Sequence, residues 1–159
     1  SALAVECGAD FTCALMRPGH VQCWGNLDDG RLGYNLYNDG DDPVHPGPMS
    51  PANVLGNLEF PAEVLIAQLS SGYDHSCALS LLGDVFCWGK NSHALGRGSL
   101  AGDVGGPTGA AVNSLQPVPL SPGQQALGVL VGRTSSCALL DNSENLTPKN
   151  KCSLPTLAP

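Results

Sequence analysis

Charge is scarce in this chain. Asp, Glu, Lys and Arg make up 13% of its 159 residues, about half the usual share. With 20 glycines and 13 prolines besides, helical bundles and coiled coils are disfavoured, and many short strands joined by turns are favoured. Basic residues are scarcer still: seven Lys and Arg, scattered, against 14 Asp and Glu, for a formal charge of −7. A nucleic-acid binder replaces counterions with clustered cations, and no cluster exists here. An anionic membrane surface is disfavoured on the same ground. No apolar run approaches the roughly 20 residues that span a bilayer. No C-x-x-C occurs, which removes the zinc and thioredoxin-type readings of the cysteines. Neither H-x-x-H nor H-E-x-x-H spacing joins His20, His45, His75 and His93, so no catalytic or metal-binding role is assigned to them. Ser1 opens on no signal-peptide pattern and no initiator Met; the chain reads as a processed product or an excerpt of something longer.

What is present is order of a particular kind. Hydrophobic residues reach 42%, which excludes whole-chain disorder. Gly8, Cys13, Ala14, Leu15, Gly19, Val21, Cys23, Trp24 and Gly25 recur 64 positions later as Gly72, Cys77, Ala78, Leu79, Gly83, Val85, Cys87, Trp88 and Gly89. A third copy starts 60 residues further on with Gly132, Cys137, Ala138 and Leu139, then diverges up to Cys152. This is a repeat protein, and the repeat governs every later inference.

Each full copy carries two β-prone runs split by a turn, "FTCALMRPGHVQCW" and "HSCALSLLGDVFCW". Folding them about positions 18 and 82 places Cys13 opposite Cys23 and Cys77 opposite Cys87. Opposed residues on antiparallel strands lie within disulfide reach, so each hairpin is expected to be stapled across its strands. Free cysteines acting as small core hydrophobes are the weaker alternative. Cys137 and Cys152 are expected to pair around a longer loop. Cys7 is left over, and three readings stay open: a bond to another chain, a bond to a missing segment, or simple burial.

The segments "VECGADFTCALMRPGHVQCWGNLDDGRLG" and "LSSGYDHSCALSLLGDVFCWGKNSHALG" resemble the repeat of the regulator of chromosome condensation (RCC1-like) β-propellers. Asp74-His75-Ser76 fits the family pattern, and Phe11 stands where the first copy would have the His. Gly30-Arg31-Leu32-Gly33 fits the closing element, and Ala94-Leu95-Gly96 fits it less closely. The resemblance implies an all-β fold of four-stranded blades: about two and a half repeats and an incomplete ring, which is either a fragment of a larger repeat protein or one of several chains sharing a ring or stack. The expected organisation is repeat 1 with a Pro/Gly-rich loop over 1–63, repeat 2 with its loop over 64–125, and a divergent partial third repeat with a Pro-containing tail over 126–159. Val64–Leu69 and Leu127–Val131 read as the buried strands that open repeats 2 and 3.

Candidate sites are few. "NDGDD" gathers Asp39, Asp41 and Asp42 as a weak calcium candidate without EF-hand spacing, and a solvated turn outweighs it. Trp24 and Trp88 read as packing residues ahead of sugar-stacking ones. Asn145 heads the only N-glycosylation sequon, followed by Pro148, and Ser50-Pro51 and Ser121-Pro122 sit in proline-rich stretches of the kind that carry O-linked sugars. The expected role is therefore a non-catalytic, extracellular assembly module, a segment of a secreted cell-surface or filament glycoprotein. It would associate with itself or with neighbouring repeats of a larger chain, glycans being possible, without nucleic acid, cofactor or membrane span. The alternative is a secreted binding module that recognises a protein or glycan through its inter-repeat loops.

Overall fold

The computed structural model describes residues 1–35, 56–61, 64–91, 95–97, 102–106, 109–120, 122–141 and 149–153. Short runs rich in Val, Leu, Phe, Thr and Cys, several of them closed by a glycine, make strands of five or six residues among the described residues. The strands are β1 (Ala2–Cys7), β2 (Phe11–Met16), β3 (His20–Gly25), β4 (Ile66–Ser71), β5 (His75–Ser80), β6 (Val85–Gly89), β7 (Ala126–Val131), β8 (Ser136–Leu140) and β9 (Lys149–Ser153). They form three antiparallel sheets in the orders β1-β2-β3, β4-β5-β6 and β7-β8-β9. Each sheet is a blade, and the architecture is all-β.

The divergent third copy, in which the sequence offers no clear second strand, is nonetheless three-stranded: Lys149–Ser153 pairs with β8 from Ser136↔Ser153 to Leu140↔Lys149. Backbone pairing with β8 supplies what side-chain pattern does not. A fourth, outer position is marked in the first two blades. Leu58 bridges Val21, and the Val118 amide donates to the Val85 carbonyl at 2.7 Å.

Blades are joined at both ends of their inner strands. At one end the Ile66 amide donates to the Gly19 carbonyl and the Ala126 amide to the Gly83 carbonyl, both at 2.9 Å. At the other, the Ala9 amide donates to Tyr73 O and the Tyr73 amide to Arg133 O. The backbones of Gly72 and Gly132 approach so closely that a Cβ on Gly72 would meet the Gly132 carbonyl, so this joint needs glycine. The core lies between the sheets and includes Leu15, Val21, Leu69, Leu79, Phe86, Trp88 and Val129.

One expectation is corrected. Leu127–Val131 is not a buried strand throughout: Val129 is 1% exposed, while Leu127 and Leu130 are 61% and 70% exposed. A register shift between Ala126 and Gly128 breaks strict alternation, so Leu127 and Leu130, three residues apart, are both left uncovered. Val129 packs on the second blade, and among the described residues no sheet covers the opposite face of β7.

Candidate functional site

Three features stand out from the residues upward: the stapled hairpins, the two blade junctions, and an open cleft at one end of the inner strands. The β2–β3 register pairs Cys13 with Cys23, and the β5–β6 register pairs Cys77 with Cys87. Both pairs are disulfides with Cα atoms 4.1 Å apart. Cys137 is disulfide-bonded too, and the residue opposite it in the ladder is Cys152. Closing a loop of this size contributes about 3 kcal/mol by the chain-entropy account. Cys7 is exposed and free.

The first junction is charged. Asn26 Oδ1 accepts from the Asp28 amide, and Asp28–Gly30 forms a single 3-10 turn with Asp29 in the left-handed region at φ 56°. That turn lays Arg31 across the second blade. Its side chain is 7% exposed and reaches Asp29 at 3.0 Å, Asp74 at 3.2 Å and Asp10 at 3.7 Å. Lys90 reaches the same Asp29 oxygen at 3.3 Å; this hydrogen bond and charge hold its ammonium above the ordinary lysine value. Behind the charges Trp88 is fully buried. Its Nε1 donates to Arg31 O at 3.2 Å, and its ring meets Phe60 edge-on at 5.7 Å. Trp88 is thus a packing residue of the junction, while Trp24 is half-buried.

The second junction is polar and uncharged. Gln68 binds the Val129 backbone twice, its Oε1 accepting from the amide and its Nε2 donating to the carbonyl, both at 3.0 Å. Ser70 Oγ accepts from the Val131 amide at 3.1 Å. His75, 2% exposed, places Nε2 3.0 Å from Ser136 Oγ. Ser136 also lies 3.4 Å from Cys77 Sγ. The sulfur is bonded to Cys87 and carries no hydrogen, so any hydrogen in that contact comes from Ser136. Burial pulls the His75 pKa below its usual value, with Asp74 and a hydrogen bond to the Ser135 backbone opposing.

The cleft, ≈ 320 Å³, opens where β1, β4 and β7 end, and is lined by Tyr73, Arg133, Val131 and the glycine backbones of the turns. The Arg133 guanidinium sits over the Tyr73 ring, 4.9 Å from its centroid.

The remaining sequence candidates scatter. Asp39, Asp41, Asp42, Ser50, Pro51, Ser121 and Asn145, with His45 and His93, lie outside the described residues. Pro122 is exposed in a turn, and His20 is exposed on β3. Among the described residues no group of His, Cys, Asp and Glu is placed to hold a metal, and no helix is long and apolar enough to cross a membrane. Sequence reasoning missed the Arg31 cluster, Gln68 and the Tyr73–Arg133 pair. The signal for Gln68 was available: a glutamine within the strand "IAQLSS" needs a partner when the strand is buried.

The family described as "Regulator of chromosome condensation (RCC1) repeat" matches residues 3–31 and 66–94. The chain carries RCC1-type repeats. Its disulfides fit a cysteine-containing variety of that repeat. A human relative, "Probable E3 ubiquitin-protein ligase HERC6", is 33% identical over 118 residues, which cover 74% of this chain and 10% of the relative. Human WBSCR16 superposes with a TM-score of 0.68 at 21% identity, over 94% of this chain and 37% of that one. The CRINKLY WD40 ectodomain of the Arabidopsis thaliana receptor kinase ACR4 superposes with a TM-score of 0.51 at 21% identity, over 96% of this chain and 39% of that one. Yeast RCC1 (Prp20) superposes with a TM-score of 0.57 at 21% identity, over 87% of this chain and 30% of that one, and this likeness establishes the RCC1-type propeller blade as the fold. The RCC1 repeats here span a tenth of HERC6 and under two fifths of the three solved chains.

Proposed function

We propose that the chain is a non-catalytic assembly module of an extracellular structure, a segment of a cell-surface or filament glycoprotein. The observation that carries this reading is the same hairpin closed covalently in the first two blades, Cys13–Cys23 and Cys77–Cys87, with Cys137 of the third disulfide-bonded as well. Repeated structural disulfides belong to oxidising compartments. The Arabidopsis propeller is by name an ectodomain, so the fold is compatible with a place outside the cell. HERC6 is by name a probable ligase, but this chain matches a tenth of it, and the proposed role here is assembly, not catalysis.

The flanking faces of the three-blade array support association. Val5 is 56% exposed where its repeat equivalents Leu69 and Val129 are 3% and 1% exposed. Leu139 is 36% exposed against 6% for Leu79. These are the two halves of an interface the molecule makes twice internally, available to neighbouring repeats or to another copy.

An unreduced peptide map of the natural material tests this. Linked Cys13–Cys23 and Cys77–Cys87 peptides, Cys7 bonded outside the segment, and sugar masses on the peptides holding Asn145, Ser50 and Ser121 are the expected result. Free thiols with bare peptides would overturn the extracellular reading.

A further inference from the structure

We propose that the cleft at the end of β1, β4 and β7 is a docking site for an acidic segment of a partner protein, with Arg133 as its anion-binding group. The inference stands whether or not the chain is extracellular. It starts from a contrast among cations. Arg31 and Lys90 are both ion-paired, and Arg31 faces three carboxylates. Arg133, like Arg17 and Arg97, is exposed with no carboxylate among the described residues within ion-pair distance; what sets Arg133 apart is the aromatic ring beneath it. It is held in place all the same. Its guanidinium sits over the ring of Tyr73, and its carbonyl accepts from the Tyr73 amide, while Tyr73 O accepts from the Ala9 amide. One backbone chain thus runs through all three blades beneath the pair.

A guanidinium held over a ring spends none of its N–H donors on an acceptor oxygen there, so they remain available to a carboxylate. Tyr73, 46% exposed, adds an aromatic wall, and the glycine backbones leave the floor open to a close-lying chain. Asp10 and Asp74, which follow the cleft residues Ala9 and Tyr73 in the chain, are engaged by Arg31, and Arg133 is the cation that lines the cleft. In a chain of charge −7 such a cation marks the face where a negatively charged partner is best received. The cleft is shallow and crosses three blade ends, which suits an extended peptide more than a lone ion.

The test uses the ¹⁵N-labelled chain titrated with hexaglutamate, and in parallel with hexaglutamine and with inorganic phosphate. Hexaglutamate is expected to shift the amides of Gly72–Asp74 and Gly132–Thr134. Arg133→Gln should weaken it about tenfold and Tyr73→Leu about threefold, with the rest of each spectrum unchanged. Unaltered binding by Arg133→Gln, equal binding of hexaglutamine, or shifts centred on Lys90 or Arg17 would overturn the assignment. Phosphate binding as tightly as the peptide would overturn the peptide reading in favour of a bare anion site.

Discussion

The two blade junctions solve one packing problem by different chemistry. Between blades 1 and 2 a turn brings a buried arginine to the joint, where Asp10 and Asp29 of its own repeat and Asp74 of the neighbour meet it, and a tryptophan closes the gap beneath. Between blades 2 and 3 side-chain amide and hydroxyl groups grip the inner strand's backbone. The difference begins at single repeat positions. Phe11 and His75 are equivalent, and only the histidine reaches a hydroxyl on the next blade. Gln68 is equivalent to Ala4, which has nothing to donate. The comparison teaches that the repeat dictates the blade but leaves each junction to local choice.

Removing Trp88 would break the first junction most severely. Trp88→Ala empties a fully buried site and deletes the bond to Arg31 O, at a cost of about 4 kcal/mol. Hydrogen exchange by mass spectrometry should show β2 and β3 losing protection more than β8.

Gln68→Ala strikes the second junction instead. It leaves the Val129 amide and carbonyl unpartnered at a part-buried site, and about 2 kcal/mol is expected to be lost. Here the exchange pattern should reverse, with β7 and β8 opening first.

The charged cluster itself is expected to matter less than its appearance suggests. Asp10 and Asp74 retain exposures of 64% and 23% in their side chains, so water takes over much of what Arg31 provides. Arg31→Met should cost about 1 kcal/mol, measured by urea denaturation. A wild-type stability that falls with added salt, and a variant that does not, would tie the loss to charge.

The smallest effect is also the most diagnostic. A His75 pKa lowered in the folded state means that the unfolded chain takes up a proton more readily. Stability contributed by His75 is therefore complete above its unfolded value of about 6.5 and is lost as pH falls through it towards the native value. His75→Phe, which installs the residue of the first blade, should flatten the dependence of Tm on pH between 7 and 5. A mutant curve parallel to the wild type would remove His75 from this account.

Much of the blade was legible in the residues. Cys13 and Cys23 are equidistant from the Pro-Gly turn, and register follows from such symmetry because strand pairing is a local, counted relation. The repeat offset likewise located β4 and β5. The junctions were less legible, for the partners of Arg31 sit at positions 10, 29 and 74, and no local pattern announces an ion pair across 43 residues of chain. Phe11 shows the same limit: its ring fills the space beside Gly8, a use that a departure from the family pattern could not have disclosed.

The cleft is legible only in three dimensions. Tyr73 and Arg133 are 60 residues apart and occupy equivalent places in consecutive repeats, yet they touch because the blades rotate about a common axis and bring the same turn of each to one end. Sequence by itself determined the hairpins of the two full repeats, their register and their staples, since these depend on neighbours along the chain and on a period that can be counted. Tertiary structure decided which faces are covered, which charges find partners and which are left to meet another molecule. Those depend on how one sheet lies against the next, and that angle is written in no single segment.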